Sequence, residues 1–261
     1  MPELVEVEAY RRLAEAALGR VVAAVEAPDA WYLKGGLTAD DLDAVLVGRR
    51  FEAARRLGKL LLLDVGDGGP VVGVRFGMTG RLVLDGTAGV DRLIYSPHRR
   101  APAWDRLVVR FADGGEMRVN DPRRLGGVIL DPDEGRLGPD ALSVGPAGLA
   151  RALSGSTAPL KARIMDQARL AGVGNLLADE ALWRAGLDPR RPAGSLSPNE
   201  LRRLHRHLRA TLAELGERGG SHTGDLGPHR RPGGICPRDG AELLRATVGG
   251  RTTWWCPRHQ R

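Results

Sequence analysis

The tail of the chain reads Cys236-Pro237-Arg238-Asp239, then sixteen residues, then Cys256-Pro257-Arg258-His259. Two knuckles at this separation match a structural zinc site, where four donors close a tetrahedron. Four cysteines would make the signal strong. Here Asp239 and His259 stand at the second position of each knuckle, and both side chain types bind zinc. Cys236, Asp239, Cys256 and His259 are therefore the expected zinc ligands, with His222 or His229 as alternatives to Asp239. The competing reading is a finger that folds without metal. No other cysteine exists in the chain, and in a reducing compartment a disulfide is not expected. A second place of interest is Gly172-Val173-Gly174-Asn175. A glycine turn opens a helix there, so an amide and free backbone N–H groups can form an anion site; the plainer alternative is an ordinary helix cap.

The elements that must position these residues are legible in outline. Residues 3–18 have a helical pattern, with Val7, Tyr10, Leu13, Ala14, Ala17 and Leu18 on one face and Gly19 suited to the C-cap. Strands are predicted at Val21–Val25, Phe51–Arg56, Leu60–Val65, Val71–Phe76, Arg81–Leu84, Leu107–Phe111 and Glu116–Val119, separated by turns such as Asp67-Gly68-Gly69. Short strands at close spacing imply a β-sandwich or barrel. Residues 131–148, rich in Gly, Pro and Asp, have the composition of a linker. Leu160, Ile164 and Ala168 share a helical face, and a helix runs from Asn175 to Trp183. A further helix begins with a capping box, Ser197 at N-cap, Pro198 at N1 and Glu200 at N3, and carries the stripe Leu201, Leu204, Leu208, Leu212 and Leu215. Arg202, Arg203, Arg206 and Arg209 lie off that stripe. Residues 219–234 are expected to be an exposed loop.

Composition bounds the function. The 261 residues are 42% hydrophobic, enough for a real core, with no apolar run long enough to span a membrane and no signal-peptide order at the start. A cytosolic location is expected. The net charge of +7 favours a polyanionic partner. Only Lys34, Lys59 and Lys161 among the 39 basic residues are lysine, so each retained ammonium is worth locating.

Several blocks, in order, carry a resemblance: Met1-Pro2-Glu3-Leu4-Val5-Glu6-Val7-Glu8; Leu57-Gly58-Lys59; Phe76-Gly77-Met78-Thr79-Gly80; Asp121-Pro122-Arg123-Arg124-Leu125-Gly126; Leu160 through Gln167; Gly172 through Glu180; and Gly250-Arg251-Thr252. Together they resemble the formamidopyrimidine-DNA glycosylase/endonuclease VIII family over nearly the whole chain. The resemblance implies an α+β protein with an N-terminal β-sandwich and flanking helices over residues 1–130, a helix–two-turn–helix domain over 131–218, and a loop with a zinc-finger-like β-hairpin over 219–261. It implies a monomeric, bacterial, cytoplasmic DNA glycosylase and abasic-site lyase acting on damaged double-stranded DNA.

What the resemblance implies for single residues has a physical sense in each case. With Met1 removed, Pro2 offers a secondary amine, neutral in useful part near pH 7, that can attack a sugar carbon and form a Schiff base. Glu3 protonates the sugar ring oxygen and Glu6 assists proton transfer; otherwise both carboxylates would only favour a helix N-terminus. Lys59, Arg124, Asn175 and Arg251 grip phosphates. Met78 and Arg123 fill the gap left when the damaged base is rotated out of the duplex, and Leu125 is the wedge, unless Met78 and Leu125 merely fill a core. Trp104 stands where the family commonly has a DNA-contacting histidine, Leu125 where guanine-repair members have an aromatic residue, and 219–234 is short where those members carry a longer loop. These departures predict a roomier lesion pocket. The rival function is a paralogue that binds lesions or abasic sites without cutting; a purely structural zinc-finger protein leaves the N-terminal blocks unexplained.

Overall fold

The structure is a computed structural model that describes residues 2–94, 96–97 and 101–261. The chain forms two compact units, one ending at Glu134 and the other running from Gly135 to Arg261.

The first unit contains helices α1 (Leu4–Ala14) and α2 (Ala39–Leu46) and strands β1 (Val22–Glu26), β2 (Phe51–Leu57), β3 (Leu60–Val65), β4 (Val71–Arg75), β5 (Arg81–Leu84), β6 (Thr87–Ala88), β7 (Asp105–Phe111), β8 (Glu116–Asn120) and β9 (Gly127–Leu130). They make two antiparallel sheets, ordered β1-β7-β8-β5-β6 and β2-β3-β4-β9. Alternation fills the space between the sheets: Leu107, Val109 and Phe111 of β7 share one core with Leu61, Leu63 and Val65 of β3 and with Val7, Tyr10 and Ala14 of α1. The expected helix over 3–18 ends at Ala14. Residues 15–17 tighten into a 3-10 turn and Leu18 becomes extended, because Gly19, at φ 75, must donate to the Phe51 carbonyl at 2.9 Å. Three elements of this unit went unpredicted: α2, the two-residue β6 and β9. The start of α2 is a capping box, Asp41 N donating to Thr38 Oγ1 at 3.1 Å and Thr38 N to Asp41 Oδ2 at 2.9 Å, with Leu42 and Leu46 buried one turn apart. The four-residue β9 completes the second sheet against β4.

The second unit contains α3 (Pro146–Leu153), α4 (Leu160–Met165), α5 (Asn175–Ala185), α6 (Pro198–Glu217) and a hairpin of β10 (Leu244–Val248) and β11 (Arg251–Trp255). The 131–148 segment is not a free linker. Gly138 N donates to the Gln167 carbonyl at 2.9 Å, Ala141 and Ala171 pair through the backbone, and α3 begins inside the segment with Pro146 at its first turn. Ala168 does not extend the face of Leu160 and Ile164. Helix α4 stops at Met165, Asp166 turns extended, and its carboxylate accepts the Ala168 N–H at 3.0 Å, leaving Ala168 exposed. The capping box of α6 forms as expected, and Leu204, Leu208, Leu212 and Leu215 are buried with Leu201 half-buried. Nor is 219–234 simply exposed. Leu226 is fully buried with Trp183, Leu243 and Trp254, and Glu180 accepts the N–H groups of Asp225 and Leu226 at 3.1 and 2.9 Å. Gly224 lies so close to Glu180 that a Cβ there would meet its Oε2 at 2.5 Å. No helix among the described residues is long and apolar enough to cross a membrane.

A buried ion pair fastens the hairpin to the helices. Lys161 Nζ, with no exposed side chain, sits 2.8 Å from Asp179 Oδ1 and donates to the Thr252 carbonyl and Thr253 Oγ1 at 3.1 and 2.7 Å. Asp179 Oδ2 accepts from Arg230 at 2.8 Å and from the Trp254 N–H at 3.4 Å. Removing one member of such a pair strands the other away from water. Lys161→Met should therefore lower the unfolding free energy by about 3 kcal/mol, measured by urea titration. A loss near zero would mean that Arg230 alone suffices to compensate Asp179.

Candidate functional site

The head of the chain is buried. Pro2, Glu3 and Glu6 all lie in the interior, the two glutamates with at most 1% of their surface exposed. Glu6 is the third residue of α1, and its Oε2 accepts the Glu3 N–H at 2.8 Å, closing a capping box with Glu3 as N-cap. The helix-terminus reading and the chemical reading of these carboxylates are thus not exclusive: one bond uses Glu6 as a cap while burial gives both side chains an environment far from bulk water. A charged relay ties this helix to the β2–β3 turn. Glu8 Oε2 takes Arg56 Nε at 3.0 Å, and Arg56 Nη1 donates to the Gly58 carbonyl at 2.9 Å, next to Lys59. Burial pushes the Glu8 carboxyl up, but Arg56 and Arg11 more than offset this and hold it below the usual range. Lys59 itself is half-buried in the turn.

Two interlocked loops carry the next group. Asp121, fully buried, accepts from Thr79 Oγ1 at 2.5 Å and Arg123 N at 3.3 Å through Oδ1, and from Gly126 N at 3.0 Å through Oδ2. The 121–126 loop is thereby bolted to the 76–80 loop, which Tyr10 of α1 holds from the other side by donating to the Gly80 carbonyl at 3.1 Å. The loops approach so closely at Gly77 (φ 57) that a Cβ would meet the Leu125 carbonyl carbon at 2.4 Å. Trp104, half-buried, supplies the carbonyl that accepts Asp121 N–H at 2.9 Å. From this frame Met78 is half-buried, whereas Arg123, Arg124 and Leu125 are exposed; Leu125 is 51% accessible and fills no core. Arg124 has a left-handed backbone, φ 56, and its Nε and Nη2 both bond Asp29 at 2.6 Å. Arg106 adds a contact to Asp29 at 3.3 Å. The Arg124 guanidinium, with Arg106 behind it, holds the Asp29 carboxyl below the ordinary range.

In the second unit, Asn175 is the first residue of α5. Its N-cap is Gly174, with no side-chain cap, so Asn175 is not the cap that its type suggested. Its Oδ1 is buried and has no hydrogen-bond partner among the described residues, an uncommon state for a buried amide. Arg251 is exposed at the first position of β11, directly after the left-handed turn Gly249-Gly250. That turn abuts α4, where a Cβ on Gly249 would meet Ala162 Cβ at 2.7 Å.

Cys236, Asp239, Cys256 and His259 offer one donor atom each, all within 4.8 Å of one another. A tetrahedral metal with bonds of about 2.0–2.3 Å separates its donors by about 3.3–3.8 Å; Cys256 Sγ to Asp239 Oδ2, at 3.2 Å, and Cys236 Sγ to His259 Nδ1, at 3.9 Å, lie at the edges of that range, while His259 Nδ1 and Asp239 Oδ2 are drawn together to 2.7 Å by a hydrogen bond. His259 Nε2 lies 3.2 Å from the Trp183 carbonyl. Donation of an Nε2 proton there turns the Nδ1 lone pair toward the cluster, the outer bond expected of a ligating histidine. Trp183 Nε1 also donates to Cys236 Sγ at 3.3 Å. Burial chiefly pushes the Cys256 thiol up to about 11, and a cation among these donors would reverse that. Asp239 belongs to the cluster, so neither His222 nor His229 is needed as a fourth donor.

Sequence reasoning missed Asp29, Arg56, Asp121 and Asp179, whose roles are to hold other residues. It had singled out Lys161 as a lysine worth locating without finding what it holds.

Comparison with known proteins gives a consistent result. Residues 1–128 match the model of the formamidopyrimidine-DNA glycosylase N-terminal domain, and residues 137–225 match that of the formamidopyrimidine-DNA glycosylase H2TH domain. The formamidopyrimidine-DNA glycosylase of Paracoccus denitrificans is 37% identical, over 98% of this chain and 99% of the relative. The enzyme of that name from Thermus thermophilus is 39% identical, over 98% and 97%. Among solved structures, Lactococcus lactis Fpg in complex with DNA containing an abasic site superposes with a TM-score of 0.82 at 26% identity, covering all of both chains.

The Arg124–Asp29 pair makes a pH test. Asp29 has its pKa depressed on folding from an ordinary 3.8, so its contribution is complete above that value and is lost as pH falls through the lower folded value. The stability gap between the parent and Asp29→Asn should be widest above about pH 4 and close as pH falls below that value, followed by denaturant unfolding at each pH. A gap that ignores pH would assign the loss to something other than this ion pair.

Proposed function

The chain belongs to the formamidopyrimidine-DNA glycosylase family, and from that premise we propose that it excises an oxidised or ring-opened base from double-stranded DNA through the Pro2 amine and then cuts the strand. The observation that carries this reading is the buried head of the chain, with Pro2 beside two interior carboxylates at the start of α1. Once Met1 is removed, the Pro2 nitrogen becomes a secondary amine. It attacks the sugar carbon that bears the damaged base; the glycosidic bond breaks, its electron pair leaves with the base, and the proton that the alkylated nitrogen must shed passes to that base. Glu3 protonates the ring oxygen as the sugar opens, and the nitrogen lone pair then forms the iminium. Loss of the proton on the neighbouring carbon expels the phosphate by elimination, with Glu6 assisting proton transfer. Glu6 already accepts the Glu3 N–H, which would keep the two carboxylates in fixed relation.

Before chemistry the base must leave the stack. Met78 and Arg123, on the two loops joined by Asp121, are suited to fill the vacated space, and Leu125 is suited to wedge the partner strand. Lys59, Asn175 and Arg251 are the proposed phosphate ligands. Asn175 would reach a phosphate through its amide N–H groups, because its oxygen can only accept; its place as the first residue of α5, where backbone N–H groups are also free, supports that role. Arg124 is the weaker phosphate candidate, because Asp29 neutralises it. Trp104 occupies a position proposed to approach DNA, although its carbonyl is already committed to Asp121. The departures at Leu125, Trp104 and the short 219–234 segment favour a lesion pocket that accepts ring-opened purines and oxidised pyrimidines alongside oxidised guanine.

The tail cluster is proposed to hold one structural zinc through Cys236, Asp239, Cys256 and His259. The ion would stiffen the knuckles that support the β10–β11 hairpin, and hence Arg251; it takes no part in bond breaking.

Two experiments test these readings. Borohydride reduction should trap the protein covalently on abasic-site DNA, an added residue before Pro2 should abolish trapping, and Glu3→Gln should still bind duplex while losing most base excision. Full activity with an extended N-terminus would remove Pro2 from the chemistry, and binding without trapping would indicate the non-cutting paralogue. For the metal, elemental analysis should find one zinc per chain, and Cys256→Ala should lose it together with DNA affinity. A metal-free chain that binds DNA as tightly as the parent preparation would overturn the zinc site.

A further inference from the structure

The two large hydrophobic side chains most exposed among the described residues are Trp31, at 68%, and Leu125, at 51%. They are far apart in sequence, yet the fold brings their two segments together. Asp29, two residues before Trp31, bonds Arg124, the neighbour of Leu125, and Leu33, two residues after Trp31, forms a parallel bridge with Val128. Between those anchors residues 30–32 form a 3-10 turn, and the Tyr32 hydroxyl lies against Gly126. The neighbours of Trp31 leave it no slack to turn inward. Tyr32 is fully buried, with its hydroxyl bonded to the Arg75 carbonyl at 3.3 Å, and Leu33 is buried too. Lys34 lies over the indole, its Nζ 4.7 Å from the ring centroid, and donates to the Trp31 carbonyl at 2.5 Å. Its stem passes Gly127 so closely that a Cβ there would meet Lys34 Cε at 2.8 Å. On the Leu125 side, the positive φ of Arg124 and the bonds of Asp121 hold the loop tip out.

An indole and an isobutyl group kept in water at one edge, bordered by Lys34, Arg123 and Arg124, suit a partner that is flat and apolar inside and anionic outside. A stacked nucleic acid has that chemistry. We propose that Trp31 is a base-stacking contact to the duplex substrate, forming with Leu125 one apolar edge that seats against the base stack. The assignment rests on the glycosylase reading, and its new content is Trp31. An aromatic surface absent at position 125 is thereby supplied from a different segment, one that nothing in the local sequence around Leu125 announces.

The test compares Trp31→Ala and Trp31→Phe with the parent in equilibrium binding to a duplex carrying a tetrahydrofuran abasic analogue, over a range of salt, with 2-aminopurine placed beside the analogue. Trp31→Ala should bind about tenfold more weakly and Trp31→Phe within about threefold of the parent, the difference expected when a ring is lost from a base. The slope of affinity against salt should stay the same in both, because no phosphate contact is removed, and the 2-aminopurine signal on binding should change in Trp31→Ala. Melting temperatures should match the parent, since the ring is exposed. Equal binding by Trp31→Ala and the parent, equal losses in the Ala and Phe variants, or a reduced salt slope would each overturn the proposal. A parent that traps on abasic DNA while Trp31→Ala binds normally sinks only this inference; a parent that neither binds nor traps sinks the glycosylase reading as well.

Discussion

A carboxylate shut away from water must find its donors within the chain, and in each unit one such carboxylate sets where the working side chains stand. Asp121 finds Thr79, Arg123 and Gly126, so the two loops that carry Met78, Arg123 and Leu125 are held as one piece. Asp179 finds Lys161, Arg230 and Trp254, so the hairpin whose second strand begins at Arg251 is held to α4 and α5. Neither aspartate needs to touch a substrate to matter. An arginine on a loosely held loop would have to give up its freedom on binding, and a bound complex would weaken by that entropy. Order already present in the free protein is what these buried groups supply.

Structural bonds and the proposed chemistry also share atoms at the head of the chain. Glu3 and Glu6 occupy positions where any helix would favour acidic side chains, yet they are buried, which ordinary capping residues seldom are. The bond from Glu3 N to Glu6 Oε2 starts the helix and also fixes one carboxylate relative to the other. Glu8 then reaches through Arg56 to the turn of Lys59. A change at Arg56, whose side chain is 6% exposed, would therefore be felt both in packing and in the placement of a candidate phosphate ligand.

Arginine dominates the basic residues, and much of that charge is neutralised internally. Arg124 is matched by Asp29, Arg55 by Asp64 and Glu134, and Arg184 by Glu180, Glu214 and Asp225. The net charge of +7 thus says less about where DNA binds than the placement of the less committed cations does. Arg123 and Arg251 are exposed, on the loops that the buried aspartates hold, and there a polyanion would find them.

Local pattern was enough to read much of this protein. The strands Leu60–Val65 and Arg81–Leu84 and the capped start of α6 have the limits that alternation and capping chemistry predict, because those signals act over a few residues. The paired knuckles likewise announced a four-donor cluster, and the blocks from Pro2 to Arg251 announced the family. Short elements escaped for the same reason in reverse: β9 has four residues and becomes a strand only because β4 lies beside it, and α4 ends where Asp166 caps the next turn. The capping box of α2, from Thr38 to Asp41, was in principle readable. Tertiary structure alone decided which side chains face water. Leu125 could have filled a core, and Asn175 could have capped a helix; the contacts of Asp29 with Arg124 and of Leu33 with Val128 had to bring the segment of Trp31 to that of Leu125. Burial and cross-chain register depend on segments distant in sequence, and no local pattern of residue types encodes which distant segment will arrive.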